Sequence, residues 1–242
     1  MTQAPATTPL QDDLLAMLQA TRAAERELFA MLPATELDRP GTMGAWSAKD
    51  VQLHLAAWRA IEARRLHAMR HGKPFDASDP GLDDPVDTAN AELQSRHAHL
   101  SWADAERQAD ASVDALLGAI GQSSTEMLCE CHDSTAGIGV NGVNHAIAHL
   151  SDVASLAGGQ QRYDVLARQL EAILHRGHLP PRDSGVLLYN LACHHALSGE
   201  PDEARRVLRT AFSQRHDLVE VAEDDPDLAA IRDDIASLAN FA

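Results

Sequence analysis

Apolar residues recur at helical spacing along most of the chain. Leu14, Leu15, Leu18, Ala24, Leu28, Met31 and Leu32 share one face of a first helix expected over residues 10–32, and Pro33 ends it. Ser47 offers a capping hydroxyl, with Asp50 three residues later in the first turn, so a second helix is expected over 48–72. The stretch 73–85 carries prolines, Gly81 and aspartates. It cannot continue a helix and is long enough to be a crossover along the length of a bundle. A third helical region follows over 86–120, broken near Leu100, where Ser101, Trp102 and Asp104 read as a fresh cap. Loop signals fill 121–139, and a fourth helix over 140–156 is closed by Gly158 and Gly159. Shorter helical patterns follow over 163–176, 184–198, 201–213 and 227–238, separated by Gly177 with Pro180 and Pro181, then Gly199, then Pro226.

Composition agrees with this pattern. The 242 residues are 45% hydrophobic but only 4% aromatic, with the apolar content supplied mostly by Ala and Leu, which favours closely packed helices over strands. The expected fold class is all-α, with one domain over 1–159 and a smaller helical one over 160–242. A net charge of −16 repels phosphate backbones, so no nucleic-acid partner is expected. No run approaches the roughly 18 apolar residues of a membrane span, and the first positive charge comes after Ala20. Neither a membrane helix nor a secretory signal is expected. Three cysteines, Cys129, Cys131 and Cys193, are too few for a disulfide framework and read as reduced thiols of a cytoplasmic protein.

Thirteen histidines are many for this length, and one pair has ligand spacing. His145 and His149 are four apart on the fourth helix, so their rings leave one face about 6 Å apart and can share a metal ion. A third ligand is offered by His54, which lies in the otherwise apolar run Val51, Leu53, Leu55, Ala56, Ala57, Trp58, where an unpartnered imidazole would be costly. A solvated helical pair and a hydrogen-bonded core histidine explain the same spacing. Three neutral imidazoles would leave a divalent ion its double charge and an open position, so that it acts as a Lewis acid on water or on a thiol. Asp152 and Asp50 stand near enough along their helices to support the ligands, or are plain helix charges. Cys129, Cys131 and His132 lack the spacing of a closed zinc site, and His67 with His71, His97 with His99 and His175 with His178 sit in polar company. Trp46 and Trp58 are assigned to the interior.

The run Gly44-Ala45-Trp46-Ser47-Ala48-Lys49-Asp50-Val51-Gln52-Leu53-His54-Leu55-Ala56-Ala57-Trp58 resembles the second-helix signature of the DinB-like (YfiT-like) superfamily. The resemblance covers about residues 10–158. It implies an up-up-down-down four-helix bundle whose crossover is the 73–85 stretch, and a zinc or nickel ion held by His54, His145 and His149. Asn90-Ala91 and Leu100-Ser101-Trp102 look like the branch containing ClbS/DfsB-type proteins and mycothiol-dependent maleylpyruvate isomerases. That implies a thiol-dependent transferase or isomerase acting on a small-molecule substrate with a low-molecular-weight thiol such as mycothiol or bacillithiol, with a metal-activated-water hydrolase as the alternative. Further on, Leu188 to Gly199 followed by Ala204, Leu208 and Ala211 resembles a tetratricopeptide helix pair, departing from it at His195 and His216. That annex implies a helical cap, a homodimer surface or a groove for a protein partner, the last giving a non-enzymatic interaction module.

Overall fold

A computed structural model describes residues 7–39, 41, 46–73, 86–130 and 139–240. Among them all regular structure is helical, and no helix is long and apolar enough to cross a membrane. The chain divides into two compact units, Met1–Tyr163 and Asp164–Ala242.

The first unit contains α1 (Pro9–Ala30), α2 (Ala34–Leu37), α3 (Ala48–Arg70), α4 (Val86–His97), α5 (Trp102–Gly121), α6 (Thr125–Glu130), a π-helical turn (Gly139–Asn144) and α7 (His145–Ala157). Local chemistry sets the starts of its three longest helices. Thr8, Ser47 and Ser101 each accept from the backbone N–H three residues on, while Gln11, Asp50 and Asp104 accept in return from the N–H of the cap. Helix α1 packs on α5 and α7, and α3 packs on α4, α5 and α7. Met17, Leu18 and Leu28 of α1, Leu55 and Leu66 of α3, Leu116 of α5 and Leu150 of α7 are fully or almost fully buried. Each such side chain contributes about 1.5–3 kcal/mol of transfer free energy.

The second unit takes in most of α8 (Gln160–Leu174), then α9 (Pro181–Leu197), α10 (Pro201–Gln214), α11 (Leu218–Asp224), a 3-10 helix (Pro226–Asp234) and α12 (Ile235–Ala239). Helices α9 and α10 lie closely together. Leu191, Ala192, Ala204 and Leu208 have no exposed surface, the small alanines letting the two backbones approach. Glu171 of α8, His195 of α9 and Arg206 of α10 join the three helices through ion pairs.

Three short helices, α2, α6 and α11, lie where only connections are expected, being too short to display a 3.6-residue repeat. The fourth helix opens as a wide π-helical turn and becomes α-helical only at His145. Helix α9 starts at Pro181 rather than near 184, because a proline's fixed φ suits the first turn. The last pattern is mostly 3-10, entered through Asp225, whose carboxylate accepts from the N–H of Asp227. The expected crossover over 73–85 lies, past Lys73, outside the described residues, as do Cys131 and His132.

Candidate metal centre

Helix α3 carries His54 between Leu53 and Leu55, on its most buried stretch, and α7 presents His145 and His149 one turn apart. The three rings converge. Nε2 of His54 lies 2.9 Å from Nε2 of His145. The ring centroid of His54 is 4.5 Å from that of His145 and 4.9 Å from that of His149, and the two α7 rings lie 5.4 Å apart, nearly parallel at 22°. One ring nitrogen from each histidine falls within 4.8 Å of the others. Two nitrogens facing each other at 2.9 Å cannot both carry a proton, so at least one lone pair points into the cluster.

Burial, followed by the neighbouring imidazoles, lowers the pKa of His54 to about 2. Burial, then His149 and Arg59, lowers that of His145 to about 3. His149 is lowered by burial against the opposing pull of Asp152. All three rings are therefore neutral at pH 7, the form that binds metal. Their Nδ1 atoms are not uniformly supported: those of His54 and His145 are buried and unpartnered. Orientation of these two rings thus comes from packing. A set of three neutral imidazoles fits a divalent transition ion, and its softness argues against calcium or magnesium.

The packing is aromatic. Trp46 is half-buried, stacks on His149 with centroids 5.5 Å apart and meets His54 edge-on at 4.5 Å. Trp58 is a core residue beside Ile61 and Leu93, and its indole also stands 5.7 Å from the His145 ring. Trp58 Nε1 donates to Asn90 Oδ1 at 3.4 Å. Asn90, Leu93, Gln94 and His97 of α4, with Trp46 and Leu53, line a small space beside His54. Asp50 spends its carboxylate on the Ser47 cap, and Asp152 is exposed.

A fully buried ion pair stands behind the cluster. Arg59 of α3 pairs with Glu25 of α1 through both guanidinium nitrogens, and its Nε donates to the Gly142 carbonyl of the π-helical turn at 3.2 Å. Arg22 also donates to Glu25, at 3.0 Å. The pair ties the segment that leads into His145 to both α1 and α3. Its one sequence signal is Glu25, a charged residue in the apolar stripe of α1, seven residues after Leu18 and three before Leu28.

Two further groups in the second unit have ligand-type atoms close together: Glu171, His195 and Glu203, and Cys193, Asp225 and Asp227. In the first, both His195 nitrogens are engaged, Nε2 with Glu171 at 2.6 Å and Nδ1 with Glu200 at 2.8 Å, while Arg206 bonds Glu171 and Glu203. Burial opposes charging of His195, but the bonds to Glu171 and Glu200 raise its pKa, so the group is a chain of salt bridges. In the second, Tyr189 donates to Asp225 at 2.6 Å, and burial followed by the nearby aspartates pushes the Cys193 thiol up, away from thiolate. Cys129, His67, His71, His99, His175 and His178 are exposed. Compared with models of protein families, with curated proteins and with solved structures, the chain matches none.

Proposed function

We propose that the first unit is a DinB-like, up-up-down-down four-helix bundle whose His54, His145 and His149 hold one zinc or nickel ion, and that it acts as a thiol-dependent transferase or isomerase on a small-molecule substrate. The observation that carries this reading is the convergence of three neutral imidazoles drawn from two helices, His54 buried and His145 and His149 half-buried, with Nε2 of His54 and His145 2.9 Å apart. An ion held by these three residues would keep its double charge and would supply Lewis acidity toward a thiol or water.

The protein's own groups have distinct tasks in this scheme. Burial keeps the imidazoles unprotonated, and Trp46 walls the cluster on the His149 side. On α4, Gln94 faces the space beside His54 with its Nε2 buried and unpartnered, a donor suited to a substrate carbonyl or carboxylate. In the second unit, the close approach of α9 and α10 at Ala192 and Ala204 supports a tetratricopeptide-like pair, read here as a helical cap.

Cobalt substitution tests the scheme. Adding 2-mercaptoethanol to the cobalt-loaded protein is expected to produce a thiolate-to-cobalt charge-transfer band, absent from His145→Ala. If cobalt binds but its spectrum ignores the thiol, the thiol chemistry is wrong and a hydrolase is left.

A further inference from the structure

A second, much larger hollow lies in the first unit. It is an open groove of about 1010 Å³ between α3, α4 and α5, at the upper end of the roughly 300–1,000 Å³ typical of small-molecule sites. Its floor is made of small apolar residues. Ala57 and Ala60 of α3 are half-buried, and Ala111, Ala115 and Gly118 of α5 are exposed, so among the described residues no large side chain fills the space between the helices. From Ala57 to Arg70 the floor runs about 20 Å, at roughly 1.5 Å per helical residue.

The charge on the rim runs against that of the molecule. Over the whole chain 36 acidic residues outnumber 20 Lys and Arg. Among the described residues that line the groove the order reverses: Arg64, Arg70, Lys73 and Arg96 stand against one carboxylate, Asp114, with Arg96 also 3.9 Å from Glu92 beside it. Arg70 is held in position by donating to Gln122 of α5, across the end of the groove. His67 and His97 also line it but are driven toward the neutral form, chiefly by His71 in the first case and by burial in the second, so the cationic character belongs to the Arg and Lys side chains. A positive rim over an apolar floor, in an acidic protein, is complementary to one kind of occupant: an organic anion with an extended apolar body.

We infer that this groove binds an amphipathic organic anion, its apolar body along the alanine floor and its charge against Arg70, Lys73 and Arg96. The groove begins at Ala56 and Ala57, next to the turn that carries His54, and Leu93 and His97 line both it and the small space beside His54. The same anion is therefore the substrate class of the metal centre, a link that rests on the function proposed above; the binding itself does not.

Calorimetric titration with decanoate, decan-1-ol and decyltrimethylammonium separates the alternatives. Decanoate is expected to bind saturably at about one per chain, the alcohol at least tenfold more weakly, and the cation not at all. Joint substitution of Lys73→Glu and Arg96→Glu, both exposed, is expected to weaken decanoate at least tenfold with an unchanged Tm. Ala115→Phe, which puts a ring on the exposed floor, should abolish binding. Equal affinity for acid and alcohol, no saturable decanoate binding, or binding that survives both variants overturns the inference. Decanoate binding should persist in His145→Ala and after chelation, so loss of the metal reading and loss of the groove reading give different results.

Discussion

His54, His145 and His149 are each held below the ordinary histidine pKa of 6.5, with burial the leading cause, and this sets the sign of a pH effect on folding. In the unfolded chain each ring takes a proton near pH 6.5; in the folded one it resists until about pH 3 or lower for His54 and His145. The unfolded state therefore binds more protons in that window, and stability falls as pH drops from about 6.5 toward 3. Urea unfolding of chelator-treated protein at pH 7 and pH 5.5 reads this directly, and His54→Leu should flatten the dependence. Glu25 and Arg59 provide a second test. Glu25→Ala leaves Arg59 buried without its carboxylate and is expected to lose about 3–5 kcal/mol, whereas the double change to Met at both positions should recover most of that. His54 was legible because a polar residue interrupts an apolar run. Arg59 was not, because a long cationic side chain beside Trp58 reads equally well as one that reaches solvent.

At the scale of elements, the caps were the most legible feature, since Ser47 with Asp50 and Ser101 with Asp104 encode helix starts in four residues of sequence. The π-helical entry to α7 was hidden, as apolar periodicity does not distinguish a wide turn from an α-helical one. The exit of α7 is encoded in Gly158, at φ +66°, and in Gly159, where an added Cβ would sit 2.5 Å from Leu28 Cδ2. Gly158→Ala is expected to lose about 1 kcal/mol from the left-handed strain, measurable by thermal unfolding. In the second unit the helices α8, α9 and α10 are joined through protonated His195. Its folded pKa is raised above the unfolded value despite burial, so its contribution is complete below pH 6.5 and disappears as pH rises through the folded pKa. An NMR titration should find the His195 ring changing charge above 6.5, and His195→Phe should remove the corresponding loss of stability at alkaline pH.

Over the whole molecule, the all-helical character followed from Ala-rich and Leu-rich periodicity, and the candidate centre followed from one four-residue spacing together with one misplaced imidazole. The groove was invisible in the sequence, because Arg64 and Arg70 of α3, Lys73 just past its end and Arg96 of α4 are separated by an acidic stretch and look like ordinary surface charges until packing brings them around one apolar floor. At this scale a net charge of −16 is expected to disfavour nonspecific association with anionic polymers, while the described rim of the groove is locally cationic. The most direct test of the account is elemental analysis of protein purified without a metal-affinity tag. After equilibration with zinc or nickel and dialysis, about one equivalent of divalent metal per chain is expected, lost in each of His54→Ala, His145→Ala and His149→Ala with helix content unchanged. Wild-type protein that retains no metal, or variants that retain a full equivalent, would contradict it.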